Sequence, residues 1–168
     1  KTVRAEAPRV MVEPDNYDAR ANVMWAGMLC HQGLAGVGRH EDWATHGLEH
    51  ELSALNPGIT HGAGLAVMFP AWMEFVYDAN PARFAHYGRE VFGLAPTGDV
   101  EADALSAIDE TRGFFASLGM PVTLDELGVG EDAIERMIPT LKENKGEPFG
   151  SFKKLTMDDA REIYRIAL

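Results

Sequence analysis

Apolar positions recur every three to four residues along almost the whole chain, and no stretch alternates apolar and polar positions as a half-buried strand does. This pattern predicts an all-α domain, a helical bundle of about six to seven helices. Asp15 is placed to cap a helix from Tyr17 to about Leu34, which the glycines of GLAGVG close. A second helix covers Asp42 to about Leu55 and stops at Asn56-Pro57-Gly58. Thr60 caps a third from His61 to about Tyr77, with Pro70 as a kink. Pro81 sits at the first position of the segment NPARFAHYGREVFG. Asp99 to Leu118 follows, with Leu105, Ile108, Phe115 and Leu118 on one stripe and Gly119 at its end. Thr123 and Glu126 form a capping box. Glu131 to about Glu143 and Thr156 to Leu168 are two more amphipathic helices, joined by the loop KGEPFGSFKK.

Length and charge narrow the picture. A chain of 168 residues with 46% hydrophobic content builds one domain with its own core. The formal net charge of −11, with no run of Lys or Arg, argues against nucleic acid as a partner. The longest apolar stretch, Gly62 to Met73, is too short to span a bilayer, so no membrane association is expected. Cys30 is the single cysteine; it excludes an intrachain disulfide, fits a reducing, cytoplasmic compartment, and reads as a small buried hydrophobe. The methionines Met24, Met28, Met68 and Met73 read as core filler. The opening KTVRAEAPRVMVEPDNYD has neither an initiating methionine nor a signal-peptide core and reads as a start inside a longer protein.

Candidate chemistry is concentrated in three histidines. His46 and His50 lie four apart on a predicted helix, hence on one face. The tight corner at Asn56-Pro57-Gly58 turns the next helix back, which brings His61 toward the His46 face. Neutral imidazole nitrogens are suited to Zn²⁺ or Fe²⁺. Spacing leaves open which two of the three bind a metal. The small residues Gly62, Ala63, Gly64 and Ala66 admit a chain segment or a flat ligand close to the helix. His31, His40 and His86 read as ordinary hydrogen-bonding residues. The pattern H-x-x-E-H, His46 to His50, also matches inverted zinc peptidases, in which Glu49 is the general base and a distant glutamate the third ligand. A helical interaction domain without chemistry is the third reading. The glycine-rich stretches GLAGVG and HGAGLA lack the G-x-G-x-x-G spacing of a dinucleotide fingerprint, and no strand precedes either.

The segments EPDNYDARANVMWAGMLCHQGLAGVG, DWATHGLEHELSAL and THGAGLAVMFPAWM, followed by FFASLGMPVTLDELGV and TMDDAREIYRIAL, resemble the iron-containing (group III) alcohol dehydrogenases. The nearest branch is that of the NAD(P)H-dependent butanol dehydrogenases. The resemblance implies the helical C-terminal domain of a dehydroquinate synthase-like two-domain enzyme, whose N-terminal α/β domain binds NADH or NADPH. It implies a divalent metal, Fe²⁺ or Zn²⁺, held by one aspartate and three histidines, with His46 and His61 as two of those histidines. His50 matches a family histidine that lies beside the metal and the nicotinamide ring, as a proton-relay or cofactor-packing group. The remaining ligands, an upstream D-x-x-x-H pair, are expected before Lys1, together with the nucleotide domain. The corner between His50 and His61 is one residue longer than the family's usual one.

The activity implied for the full-length protein is reversible hydride transfer between the nicotinamide and an alcohol or aldehyde, in a homodimer. Trp25 and Phe69 are candidates to shape the aldehyde pocket. The isolated chain is expected to be inactive, and an apolar face left by the missing domain is expected to favour self-association.

Overall fold

A computed structural model describes all 168 residues. It contains eight α-helices and no strand beyond one isolated bridge between Phe149 and Leu155. They are α1 (Thr2–Val12), α2 (Tyr17–His31), α3 (Ala44–Leu55), α4 (His61–Val76), α5 (Pro81–Tyr87), α6 (Val100–Ser117), α7 (Glu131–Lys145) and α8 (Met157–Ile166). The all-α expectation is met, with α1 the helix that the periodicity did not reveal. No helix is long and apolar enough to cross a membrane.

One core joins α3, α4, α6, α7 and α8. Leu48, Leu52, Met68, Val76, Ile108, Leu141, Ile163 and Tyr164 lie within it, each with essentially no exposed surface. Burying such side chains is the main favourable contribution to folding, about 1.5–3 kcal/mol apiece. The stripe on α6 is narrower than the sequence suggested. Ala104, Ala107, Ile108 and Thr111 face inward, whereas Leu105 is exposed. Alanines are needed there because α5 and the π turn that continues it pack close to α6; a Cβ on Gly88 would stand 2.7 Å from that of Ala107.

The helices α1 and α2 stand apart from this core. They pack on each other, α1 buries no residue and α2 buries only Ala19. Lys1 ties the pair to the rest through an ion pair with Glu90, and the Arg4 guanidinium donates to the Val91 carbonyl at 2.9 Å. This placement corrects the expectations for Cys30, Met24 and Met28. Cys30 is exposed, Met24 is 74% exposed and Met28 is half-buried, because α2 has no second layer to face. Met68 and Met73 on α4 are core residues as expected.

Helix ends follow the capping chemistry of the sequence with small shifts. Asn16, not Asp15, caps α2 by accepting from the Ala19 amide. Asp99 caps α6, and Thr156 with Asp159 closes a capping box on α8. Thr123 and Glu126 make the expected reciprocal bonds, on a single 3₁₀ turn rather than a long helix. Thr60 precedes α4 without a side-chain cap, and α4 continues through Pro70 to Val76.

Asp42 has the widest reach of these caps. Its Oδ1 accepts from the Ala44 amide at 2.7 Å, which starts α3. Its Oδ2 accepts from the Ser151 and Phe152 amides, each at 2.6 Å, which fastens the loop before α8 to the same point. Asp42→Ala is expected to cost about 1–2 kcal/mol, as loss of a helix cap does. Thermal unfolding followed by circular dichroism checks this, and an unchanged melting temperature would contradict it.

Candidate metal centre

Helix α3 carries most of the site, and four contacts hold it in place. The Tyr164 hydroxyl on α8 donates to the Leu48 carbonyl at 2.8 Å. On α7, the Asn144 amide donates to the buried Glu51 at 3.0 Å, and the Lys145 stem crosses α3 at Gly47, where a Cβ would stand 2.9 Å from Lys145 Cε. Asp42 anchors its start. The corner Asn56–Thr60 then delivers His61 at the first turn of α4.

The three histidines converge as the spacing indicated. Ring centroids lie 6.3 Å apart for His46 and His50, 5.4 Å for His46 and His61, and 5.5 Å for His50 and His61. The longer corner therefore does not carry His61 away from the group. Trp43 packs edge-on against His46 at 4.8 Å. Burial holds the His46 imidazole below its ordinary pKa, and the neighbouring His61 and His50 rings push the same way. Its Nδ1 is buried without a hydrogen-bond partner. A neutral imidazole with an unpartnered buried nitrogen, beside two more imidazoles, is a donor set that a divalent cation suits. The residues present thus fit a metal.

Glu49 enters the group in a way the sequence did not reveal. Its side chain is fully buried. Oε1 accepts from the Ser53 hydroxyl at 2.5 Å, and Oε2 is hydrogen-bonded to Nδ1 of His61. The atoms of Glu49, His50 and His61 that can face a cation lie within 4.8 Å of one another. With both oxygens engaged and no solvent contact, Glu49 is not arranged as the water-activating base of a peptidase. Its signal in the sequence was a carboxylate three residues beyond His46 on an otherwise inward-facing stretch, next to the small residues of α4. At Gly64 the space is filled by this carboxylate: a Cβ there would stand 2.6 Å from Glu49 Cγ, whereas one on Gly62 would meet nothing within 4 Å.

Asp42 and His46 also have D-x-x-x-H spacing. The Asp42 carboxylate is occupied by three backbone amides and faces the loop before α8, so it is not a fourth ligand here. Phe69 lines a pocket of about 600 Å³ with Trp72, Arg39, Arg83 and Tyr87. Trp25 is not part of it; it lies on the exposed face of α2 with Tyr17, Met24 and Met28. The two aromatic residues proposed for one aldehyde pocket are therefore in separate places.

The chain is an all-helical domain whose α3–α4 corner brings three imidazoles together as a candidate metal centre. The particular family follows from comparison with known proteins. Residues 1–168 match the C-terminal region of the Fe-containing alcohol dehydrogenase family, and the chain belongs to that family. It is 41% identical over 156 residues to the NADH-dependent butanol dehydrogenase A of Clostridium acetobutylicum, which covers 92% of this chain and 40% of that protein. It is 38% identical over 167 residues to the NADPH-dependent aldehyde reductase YqhD of Escherichia coli, covering 99% of this chain and 42% of that protein. The crystal structure of NADH-dependent butanol dehydrogenase A from Thermotoga maritima superposes with a TM-score of 0.92 at 36% identity, over 99% of this chain and 43% of that one. The chain thus spans about two fifths of the length of these relatives.

Proposed function

We propose that this chain is the metal-binding part of an enzyme that transfers a hydride between NADH or NADPH and an alcohol or aldehyde. The observation that carries the reading is the convergence of three imidazoles, one of them with an unpartnered buried nitrogen, in a member of this dehydrogenase family. His46 and His61 would hold a divalent metal, Fe²⁺ or Zn²⁺. A bound divalent metal would polarise the carbonyl and stabilise the developing alkoxide. The chain's own residues orient the site: α3 and α4 carry the imidazoles, and Trp43 packs edge-on against His46. His50 is exposed, unlike His46, and would be the group that meets a nicotinamide or relays a proton. The nucleotide would come from an α/β domain, as in the two-domain relatives. The exposed apolar face of α2, with Trp25 at 61% exposure, is where we place contact with the rest of such an enzyme. By itself the chain is expected to show no dehydrogenase activity.

Calorimetric titration of the chain with Zn²⁺, and with Fe²⁺ under anaerobic conditions, tests the reading. One weak site is expected, because two histidines are fewer than the three or four protein ligands of a complete centre. Binding is expected to disappear in His46→Ala and in His61→Ala and to persist in His50→Ala. Tight binding that survives His61→Ala but not His50→Ala would assign the metal to the His46/His50 pair and overturn the proposal.

A further inference from the structure

We propose that Glu49 is the positioning residue of this site: it holds the His61 imidazole in the tautomer that carries its proton on Nδ1 and so leaves Nε2 as the nitrogen free to face a cation. The inference rests on the reading of His61 as a metal-facing histidine given above.

Three observations support it. First, the acceptor is fixed. Glu49 is fully buried, the Ser53 hydroxyl holds Oε1 at 2.5 Å, and Oε2 is left to meet His61 Nδ1. Second, the space is shaped for this carboxylate. The missing Cβ of Gly64 is what admits it, since that atom would lie 2.6 Å from Glu49 Cγ and 2.7 Å from Oε1. Third, the arrangement is selective. Of the three clustered imidazoles only His61 is held by a carboxylate, while His46 Nδ1 has no partner.

The chemistry follows directly. A neutral imidazole has one N–H and one lone pair, and the hydrogen bond made by one nitrogen decides which role the other plays. In water the proton rests preferentially on Nε2, which would point a hydrogen at the position a cation needs. A carboxylate acceptor on Nδ1 reverses that preference, fixes the ring plane and raises the basicity of the free nitrogen. His61 is half exposed at its outer edge, with 50% of its side-chain surface accessible, so packing alone does not fix its orientation. The bond to Glu49 does.

Long-range ¹H–¹⁵N correlation spectra of the metal-free chain, recorded at mildly alkaline pH, read the tautomer directly. Wild type and Glu49→Gln are expected to show His61 protonated on Nδ1, because the glutamine carbonyl still accepts that proton. Glu49→Ala is expected to move it to Nε2. Zn²⁺ affinity, measured by competition with a chelator, is expected to fall about 10–100-fold in Glu49→Ala and to recover in large part in Glu49→Gln. A wild-type spectrum with the proton on Nε2, or an unchanged tautomer in Glu49→Ala, overturns the proposal. The wild-type spectrum decides the matter even where the alanine variant does not fold. The metal reading fails separately: a tautomer that follows Glu49 in a chain whose Zn²⁺ binding ignores His61→Ala keeps the positioning bond and removes the metal. A Zn²⁺ site that needs His61 in a chain with free Nδ1 keeps the metal and removes the positioning role.

Discussion

Leu48→Ala is expected to destabilise the chain by about 2–5 kcal/mol, the range for removing a large buried aliphatic side chain and leaving a cavity. For a domain of this size that corresponds to a fall in melting temperature of roughly 4–20 °C. Leu48 has no exposed surface and belongs to the single core cluster. It lies two residues from both His46 and His50, so its side chain points to the opposite face of α3 and into the core. Its backbone carbonyl also receives the buried Tyr164 hydroxyl at 2.8 Å, which limits how far α3 can shift to refill the space. The cost therefore falls on the helix that carries His46, Glu49 and His50. Urea denaturation followed by circular dichroism measures it, and a loss below about 1 kcal/mol would mean that the core around α3 is loosely packed.

Gly64→Ala is expected to cost about 1–3 kcal/mol, the usual penalty for overpacking a filled interior. The new methyl group would lie 2.6 Å from Glu49 Cγ, 2.7 Å from Oε1 and 3.1 Å from Cδ. A glutamate on the surface would swing aside at little cost. Glu49 cannot do so cheaply, because it is enclosed and braced by Ser53 and His61. The substitution should therefore also disturb His61. Gly62, one half-turn earlier, provides the control: a Cβ there meets nothing within 4 Å. In a helix, alanine is favoured over glycine by about 1 kcal/mol, so Gly62→Ala should be neutral or stabilising. Opposite signs for two glycines in one turn would be a sharp result. Equal destabilisation by both would show that the close approach of α3 and α4 at Gly64 is not what the glycine serves.

Much of the fold was legible because helical periodicity and capping are local. The i, i+3, i+4 recurrence marked α3, α4, α6, α7 and α8, and Asp99, Thr156 and Gly119 marked ends at or within a residue or two of those observed. The segment before Asp15 gave no such signal. Helix α1 has no side-chain cap, contains Pro8 and buries nothing, so neither capping nor burial left a trace in its pattern. The expectation that Cys30, Met24 and Met28 are inside failed for a related reason. Apolar character shows that a residue profits from cover, but α2 packs mainly on α1 and the short turn that follows it, which leaves these side chains open. On α6 Ile108 is buried as expected, but Leu105 is exposed and Ala104 and Ala107 face inward, for a third reason: close packing against α5 selects small residues, and hydrophobicity alone selects large ones.

For the site, the sequence by itself determined which imidazoles share a face and that a tight corner returns the next helix to them. Those are consequences of the 3.6-residue turn and of what proline and glycine do to a chain. The family resemblance added an order of roles for His46, His50 and His61. Only the tertiary structure decided that the carboxylate beside them is Glu49 and that it meets His61. It also decided that Asp42, despite its spacing from His46, fastens a loop instead, and that Trp25 and Phe69 lie apart. The physical reason is the same in each case. A side chain's hydrogen-bond partner depends on which backbone approaches it from another helix, and that approach is set by packing across the core, by Gly64 and Gly47 as much as by any polar residue.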